Sequence, residues 1–332
     1  MAEQAADEMS ESTFNEVKWS MENECLFYGS TEGAFYNYDV LARDRKIKYA
    51  MLPDQLAGKF PGKHFTIPHK QPGELRIISV DLALMSSTKH ANDATAIFVN
   101  QAMPGADRRY YSNIVYAEST EGEVTTKQAL RIRRLYEWYD ADYIVIDGKG
   151  VGLGVVDLLL DDVFDPDSGV TYPALSCKNN QEMASRCSNP NAEKALWVIN
   201  NQNLKFNSEC AFMLREGFKC GRIRLLISEY DVEEMMRDIK GYGNLNPIEK
   251  AMVKLPYEQT TFLIDELINL KHEETAAGVR LYETSGHRKD RYSSLSYNYY
   301  VTCQLEDKNR SRRSGNTQMS DLLRCMRAPK VK

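Results

Sequence analysis

The sequence predicts an α/β protein, with one mixed central β-sheet and helices on both of its faces. Three observations predict it. Between Glu74 and Glu118, three consecutive runs read as strands joined by short connections. From Val124 to Tyr139 the period lengthens to three and four. A short apolar run then returns at Tyr143 to Asp147, followed by glycines and a further helix. The order β-β-β-α-β-α-β is that of a single sheet in which helices are added after a meander.

Each element follows from its local pattern. Residues 1–70 read as a lead-in or linker segment. They hold an acidic start (Glu3, Asp7, Glu8, Glu11), an aromatic stretch (Phe27, Tyr28, Phe35, Tyr36, Tyr38) and a Pro-, Gly- and Lys-rich loop from Pro53 to Pro72. One or two short helices are expected there. Residues 71–304 read as the main domain. In its first strand, Leu75 to Ala83, alternation sets Ile77, Ser79 and Asp81 on one face and Ile78, Val80 and Leu82 on the other. A polar loop, Ser86 to Asn92, leads to a second strand, Asp93 to Val99. Arg109 to Glu118 makes the third, and the short connections imply antiparallel pairing.

Val124 to Tyr139 is a helix with Ala129, Ile132, Leu135, Tyr136 and Tyr139 on one face, and Thr125 and Thr126 are candidate caps. After Asp147, Gly148 to Gly154 breaks the strand. Val155 to Asp162 is helical and Tyr172 to Ser176 is a fifth strand. Asn191 to Asn203, Ser208 to Lys219 and Glu229 to Lys240 read as helices. A turn-rich loop from Gly241 to Pro256 leads to another, Tyr257 to Glu273. Val279 to Glu283 is a short strand, and a last helix runs from Asp290 to about Gln304. Residues 305–332 form a basic, partly flexible tail (Arg310, Arg312, Arg313, Arg324, Arg327, Lys330, Lys332).

Composition bounds the function. The chain has 332 residues, 42% hydrophobic and 27% charged, which suits one large globular domain or two small ones. No uncharged apolar run is long enough to span a bilayer, and the acidic N-terminus lacks the apolar core of a signal peptide. The seven cysteines form no Cys-x-x-Cys and no His/Cys cluster, which argues against a zinc finger and a disulfide framework. A net charge of -5 is unlike a dedicated duplex binder. Any contact with nucleic acid falls to local basic stretches, so affinity should be modest and weaken in salt.

Three aspartates stand out. Asp81 lies in an otherwise apolar strand, where a lone carboxylate needs a partner, a proton or a metal. Taken alone, a strand-end Asp accepting backbone hydrogen bonds is the favoured reading. Asp147 closes the run Tyr143-Ile-Val-Ile, at the carboxyl end of a strand where α/β sheets bind ligands. The glycines after it permit a tight turn. As a dinucleotide fingerprint they fail, because Gly148-x-Gly150-x-x-Leu153 lacks the third glycine. Asp290 opens the last helix and suits an N-cap, which still leaves a second oxygen.

The constellation says more than its members. In a sheet of the RNase H type these three places converge on one edge of the central strands. Converging carboxylates repel unless a proton or divalent cations intervene, and hard oxygen ligands suit Mg²⁺ or Mn²⁺. Two such ions activate a water and stabilise a leaving phosphodiester oxygen. Asp93 is a further candidate, as an alternate ligand or a residue supporting the ligands from behind, and it reads equally well as a turn residue at a strand start. Arg108, Arg109, Arg131, Arg134, Arg288, Lys289 and Arg291 are candidate phosphate contacts, though for any one of them a solvated face charge is the commoner role.

Ile77-Ile-Ser-Val-Asp-Leu-Ala83 with Asn92-Asp-Ala-Thr-Ala-Ile97 resembles the first nuclease motif of the large terminase subunit of tailed bacteriophages and herpesviruses. Tyr143-Ile-Val-Ile-Asp-Gly-Lys-Gly-Val-Gly152 resembles the second, and Lys289-Asp-Arg-Tyr-Ser-Ser-Leu295 the third. Gln259 to Leu270 is similar to the helix before the third motif. The resemblance covers about residues 74 to 305 and implies an RNase H-like fold. It implies a metal-dependent endonuclease that cuts concatemeric double-stranded viral DNA, with Mg²⁺ or Mn²⁺ held by Asp81, Asp147 and Asp290. It also implies in-line attack by water that leaves 5′-phosphate and 3′-hydroxyl ends.

The implied partners are duplex DNA, a terminase ATPase domain or subunit, the portal protein and the small terminase subunit. The implied place is the host cytoplasm, at the prohead. Residues 14–70 resemble the family's join between ATPase and nuclease. The ATPase's own phosphate loop is not matched, since Gly58-Lys-Phe-Pro-Gly-Lys-His64 departs from Gly-x4-Gly-Lys-Ser/Thr. Tethering to a motor would supply DNA at high effective concentration, which reconciles the acidic charge with the substrate. Three other readings use parts of the same pattern. A resolvase or transposase needs the same carboxylates. An actin-like ATPase shares the strand order, but Asp81-Leu-Ala lacks the glycine of its first loop. A non-enzymatic docking module would use the basic tail.

Overall fold

The computed structural model describes residues 34–83, 94–107, 109–200, 203–276, 278–283 and 288–325, with side chains described up to residue 307. The elements, in chain order, begin with α1 (Tyr38–Arg43), β1 (Arg45–Ile47), α2 (Asp54–Ala57), β2 (Leu75–Asp81), β3 (Thr95–Pro104) and β4 (Tyr110–Thr120). There follow α3 (Thr125–Trp138), β5 (Tyr143–Asp147), α4 (Val151–Leu159), β6 (Val163–Phe164), β7 (Thr171–Tyr172), β8 (Leu175–Cys177), α5 (Gln181–Ser185) and β9 (Glu193–Ile199). The chain continues through α6 (Leu204–Lys219), β10 (Ile223–Leu226), α7 (Glu229–Asp238), α8 (Pro247–Asn269), β11 (Lys271–Thr275), β12 (Gly278–Tyr282) and α9 (Asp290–Cys325).

Among the described residues, eight strands form the main sheet in the order β1-β10-β4-β3-β2-β5-β9-β8. The expected meander is present: β2 pairs antiparallel with β3, and β3 with β4. On the other side β2 pairs parallel with β5, and β5 with β9. Strand alternation sorts the core. Ile78, Val80, Ile144 and Ile146 pack under α3 and α4, while Ile77 and Val145 pack with Tyr297, Val301 and Leu305 of α9 on the opposite face. A third cluster gathers α6, α8 and α9 around Phe98, Ile114 and Ala117.

Several elements differ from the sequence expectation. Asn191 to Asn203, expected as a helix, contains β9. Its run Ala195–Ile199 is buried between β5 and β8, and a short apolar run buried on both faces has no amphipathic period to identify it. The fifth strand splits into β7 and β8 around Pro173, which cannot donate to a ladder. Thr125 does not cap α3, whose N-cap is Val124. The loop Gly241 to Pro256 contains ten residues of α8, because Asn246 and Glu249 form a reciprocal capping box with Pro247 at the first helical position. Helix α9 runs on to Cys325.

Residues 34–70, expected as a lead-in, build part of the main body. β1 pairs parallel with β10 as the sheet's edge, and Leu52, Leu56, Phe60 and Phe65 are buried in the core beneath α3. Among the described residues, no helix is long and apolar enough to cross a membrane.

Candidate functional site

Asp81 and Asp147 end neighbouring parallel strands. Val80 pairs with Ile146, so the next residue of each strand leaves the sheet at the same edge. Both line a cleft of about 220 Å³, shared with Asn207 and Cys210 of α6, Leu281 of β12, and Lys289, Ser293 and Tyr297.

Helix α9 delivers the third aspartate, and its register is fixed by a buried polar seam. Ser294 Oγ donates to Ser79 Oγ at 3.1 Å. Asn298 Nδ2 donates to the Ile77 carbonyl and to Ser79 Oγ, each at 3.1 Å. Asn298 Oδ1 accepts from Asn100 Nδ2 at 2.8 Å, and that amide also reaches Thr302 Oγ1 at 3.1 Å. These contacts recur every four residues along one face of the helix. Eight helical residues rise about 12 Å and four strand residues about 13 Å, so α9 and β2 run past each other in step. With Asn298 opposite Ile77, Asp290 falls opposite Asp81.

The electrostatics agree with this placement. Burial first, then the Asp147 and Asp290 carboxylates, push the Asp81 carboxyl well above the usual range, while the Ser293 hydroxyl draws it down. Burial, Asp147 and Asp81 likewise push the Tyr297 phenol up. Each outer aspartate has one oxygen anchored by a backbone amide. Lys149 N donates to Asp147 Oδ1 at 2.9 Å, and Ala94 N donates to Asp290 Oδ2 at 3.1 Å. Among the described residues, no three acidic, histidine or cysteine side chains stand close enough together to ligate one ion as they are. The donors are hard oxygens and their mutual repulsion favours a cation between them, so the chemistry of the set fits a divalent ion.

Glycines make the Asp147 turn possible. Gly150 has φ +56°, in the left-handed region. Gly152 packs so tightly that a Cβ there would lie 1.6 Å from the Asp147 carbonyl oxygen.

The other expected contacts divide. Lys289 lines the cleft, with its Nζ 2.8 Å from Glu283. Arg288 borders an adjoining groove and pairs with Glu121 at 2.8 Å. Arg291 is not a phosphate contact: it is buried, with its guanidinium on Gln259 and Glu266. Arg131 and Arg134 line a separate cavity of about 610 Å³, which shares no residue with the carboxylate cleft. There Arg131 holds the buried Glu118, and Arg134 holds Asp165 and Asp167. The arginines lining the larger cavity are therefore engaged in internal ion pairs, whereas Asp81 and Asp147 line the smaller cleft. Arg109 precedes β4, at the end of the sheet away from Ser119 and Ala96, so it does not join the site. Asp93 and Arg108 lie outside the described residues. Sequence reasoning missed Tyr297, Ser294 and Asn298. The signal for Ser294 and Asn298 is their recurrence, with Thr302, at four-residue spacing along α9.

A mixed sheet led by an antiparallel meander, with acidic residues at the edge of its central strands, defines the RNase H-like class. Residues 78–216 match the family model described as Terminase RNaseH-like domain. It is similar in fold to the large terminase nuclease from thermophilic phage G20c with bound magnesium, at 15% identity and TM-score 0.44, covering 81% of this chain and 98% of that one. The large terminase nuclease domain of Thermus phage P74-26 matches at 14% identity and TM-score 0.42, covering 81% and 94%. The nuclease domain of the large terminase subunit gp2 of bacterial virus Sf6 matches at 12% identity and TM-score 0.35, covering 77% and 97%. No curated protein sequence matches the chain.

Proposed function

We propose that this chain is the divalent-metal-dependent endonuclease of a viral packaging terminase, cutting concatemeric double-stranded DNA in the host cytoplasm at the prohead. The observation that carries the reading is geometric: Asp81 and Asp147 end neighbouring parallel strands over one cleft, and Asp290 is tied by the Ala94 amide to the same end of the sheet. Asp81, Asp147 and Asp290 would hold two Mg²⁺ or Mn²⁺ ions. Such ions would supply charge neutralisation of the carboxylates, a more acidic water and stabilisation of the departing oxygen. The Ser293 hydroxyl orients Asp81. Lys289, balanced by Glu283, offers its ammonium to the scissile phosphate from the cleft wall. Tyr297 stays a neutral phenol, able to donate a hydrogen bond into the cleft. The partners are duplex DNA, a terminase ATPase domain or subunit, the portal protein and the small terminase subunit.

The test is plasmid digestion with Mn²⁺, Mg²⁺ or EDTA, comparing wild type with Asp81→Ala, Asp147→Ala and Asp290→Ala. Cutting should need the metal and fall at least about 100-fold in each variant. Equal cutting by all four proteins, or cutting that persists in EDTA, refutes the mechanism.

A further inference from the structure

Helix α9 must present Asp290 at its first turn, where backbone amides have no partner within the helix. One of them, Tyr292 N, donates to Glu266 Oε2 at 3.0 Å, although Glu266 belongs to α8. The other oxygen, Glu266 Oε1, accepts from Arg291 NH1 at 2.7 Å, and Arg291 Nε donates to Gln259 Oε1 at 2.8 Å. All three side chains are buried, and the guanidinium lies over the Phe262 ring at 5.2 Å.

Glu266 and Gln259 are seven residues apart on α8, on one helical face, and they grip the two residues that follow Asp290. The rest of that part of α8 is anchored independently, with Leu263, Ile264 and Leu267 in the core. The clamp therefore references the turn bearing Asp290 to a rigid element outside the seam on β2. Glu266 has both oxygens engaged here, so its acidity is not itself offered to the cleft.

We infer that Glu266, with Arg291 and Gln259, is a positioning clamp that sets Asp290 for metal binding. The inference rests on the proposed nuclease reading and assigns these residues no contact with substrate. An ion pair is suited to this task because its fork geometry fixes orientation as well as distance. Packing alone would fix distance only.

The experiment titrates Mn²⁺ into wild type, Glu266→Gln, Arg291→Lys and Asp290→Ala. Mn²⁺ binding is read by calorimetry, and plasmid cutting and Tm are measured alongside. Loss of the clamp should raise the half-saturating Mn²⁺ about 10-fold or more in both binding and cutting. Saturating Mn²⁺ should largely restore cutting, and the apparent KM for DNA should stay within about twofold. Should Glu266→Gln fail to fold, Gln259→Leu removes one contact of the guanidinium and should shift half-saturation in the same direction by a smaller factor. A lower Tm with unchanged half-saturation would show a purely structural role and overturn the inference. A wild type that neither binds Mn²⁺ nor outperforms Asp290→Ala would overturn the nuclease reading and the clamp together. A wild type that binds and cuts normally, beside clamp variants with its half-saturation, overturns the clamp alone.

Discussion

Two glycines of α4, two residues apart, should respond to alanine with opposite signs. A Cβ on Gly152 would meet the Asp147 carbonyl oxygen at 1.6 Å and the Asp147 carbonyl carbon at 2.8 Å. Both are backbone atoms, so no side-chain rotation relieves the contact. Reaching an ordinary separation of about 3.5 Å requires the start of α4 to back away from the end of β5 by more than 1 Å. Overpacking of this kind costs about 1–3 kcal/mol, and at about 2–4 °C per kcal/mol the Tm should fall by several degrees. The displaced atom belongs to Asp147, and a misplacement of that size costs about 100-fold in rate. At Gly154 a Cβ would meet only Thr125 Cγ2, at 4.0 Å. Alanine there should gain about 0.5–1 kcal/mol from helix propensity and leave cutting unchanged. Thermal unfolding and Mn²⁺-supported plasmid cutting measure both arms. Gly152→Ala with wild-type Tm and wild-type cutting would refute the close-approach argument, as would equal shifts of the same sign at both positions.

Two further outcomes concern ionised groups. Because burial, Asp147 and Asp290 raise the folded-state pKa of Asp81, the ionised form destabilises the metal-free protein above that pKa, and the penalty vanishes below the unfolded value of about 3.9. Asp81→Asn should therefore be more stable than wild type in EDTA at neutral pH, by about 0.5–2 kcal/mol, with no advantage near pH 3.5. A less stable variant at neutral pH contradicts this. Glu74 behaves oppositely. Burial pushes its carboxyl up, but the Gln71 N–H, Arg76 and Gln101 outweigh it and hold the group below the ordinary value. The stability it confers is present above about pH 4.3 and is lost as pH falls through the lower folded value. Glu74→Ala leaves the buried Arg76 without its charge partner and should cost about 3–5 kcal/mol at neutral pH, read by denaturant unfolding, and less in acid. A loss that does not shrink as the pH is lowered would contradict this assignment.

What the sequence revealed was local. The meander and α3 announce themselves by a change of period, and Asp81 and Asp147 by breaking apolar strands at their ends. Asp290 was legible as the start of a helix. What failed was non-local. β1 and β10 are short and pair in parallel across a separation of about 180 residues, which leaves no alternation or turn signal nearby. From Ala195 on, β9 is apolar because both its faces are covered, so periodicity gave no guide. Arg291 looked like a phosphate contact because a sequence shows charge without showing partners. Its neighbours Gln259 and Glu266 lie 32 and 25 residues away.

The aromatic pair at the beginning of the described chain carries a mechanical consequence. Tyr36 is buried, its hydroxyl donates to the Ala211 carbonyl at 3.2 Å, and its ring lies 6.1 Å from that of Tyr292. Tyr292 comes two residues after Asp290 and is itself gripped by Glu266. A pull on the chain at residue 36 would load the turn bearing Asp290 through this ring contact, without first crossing the sheet.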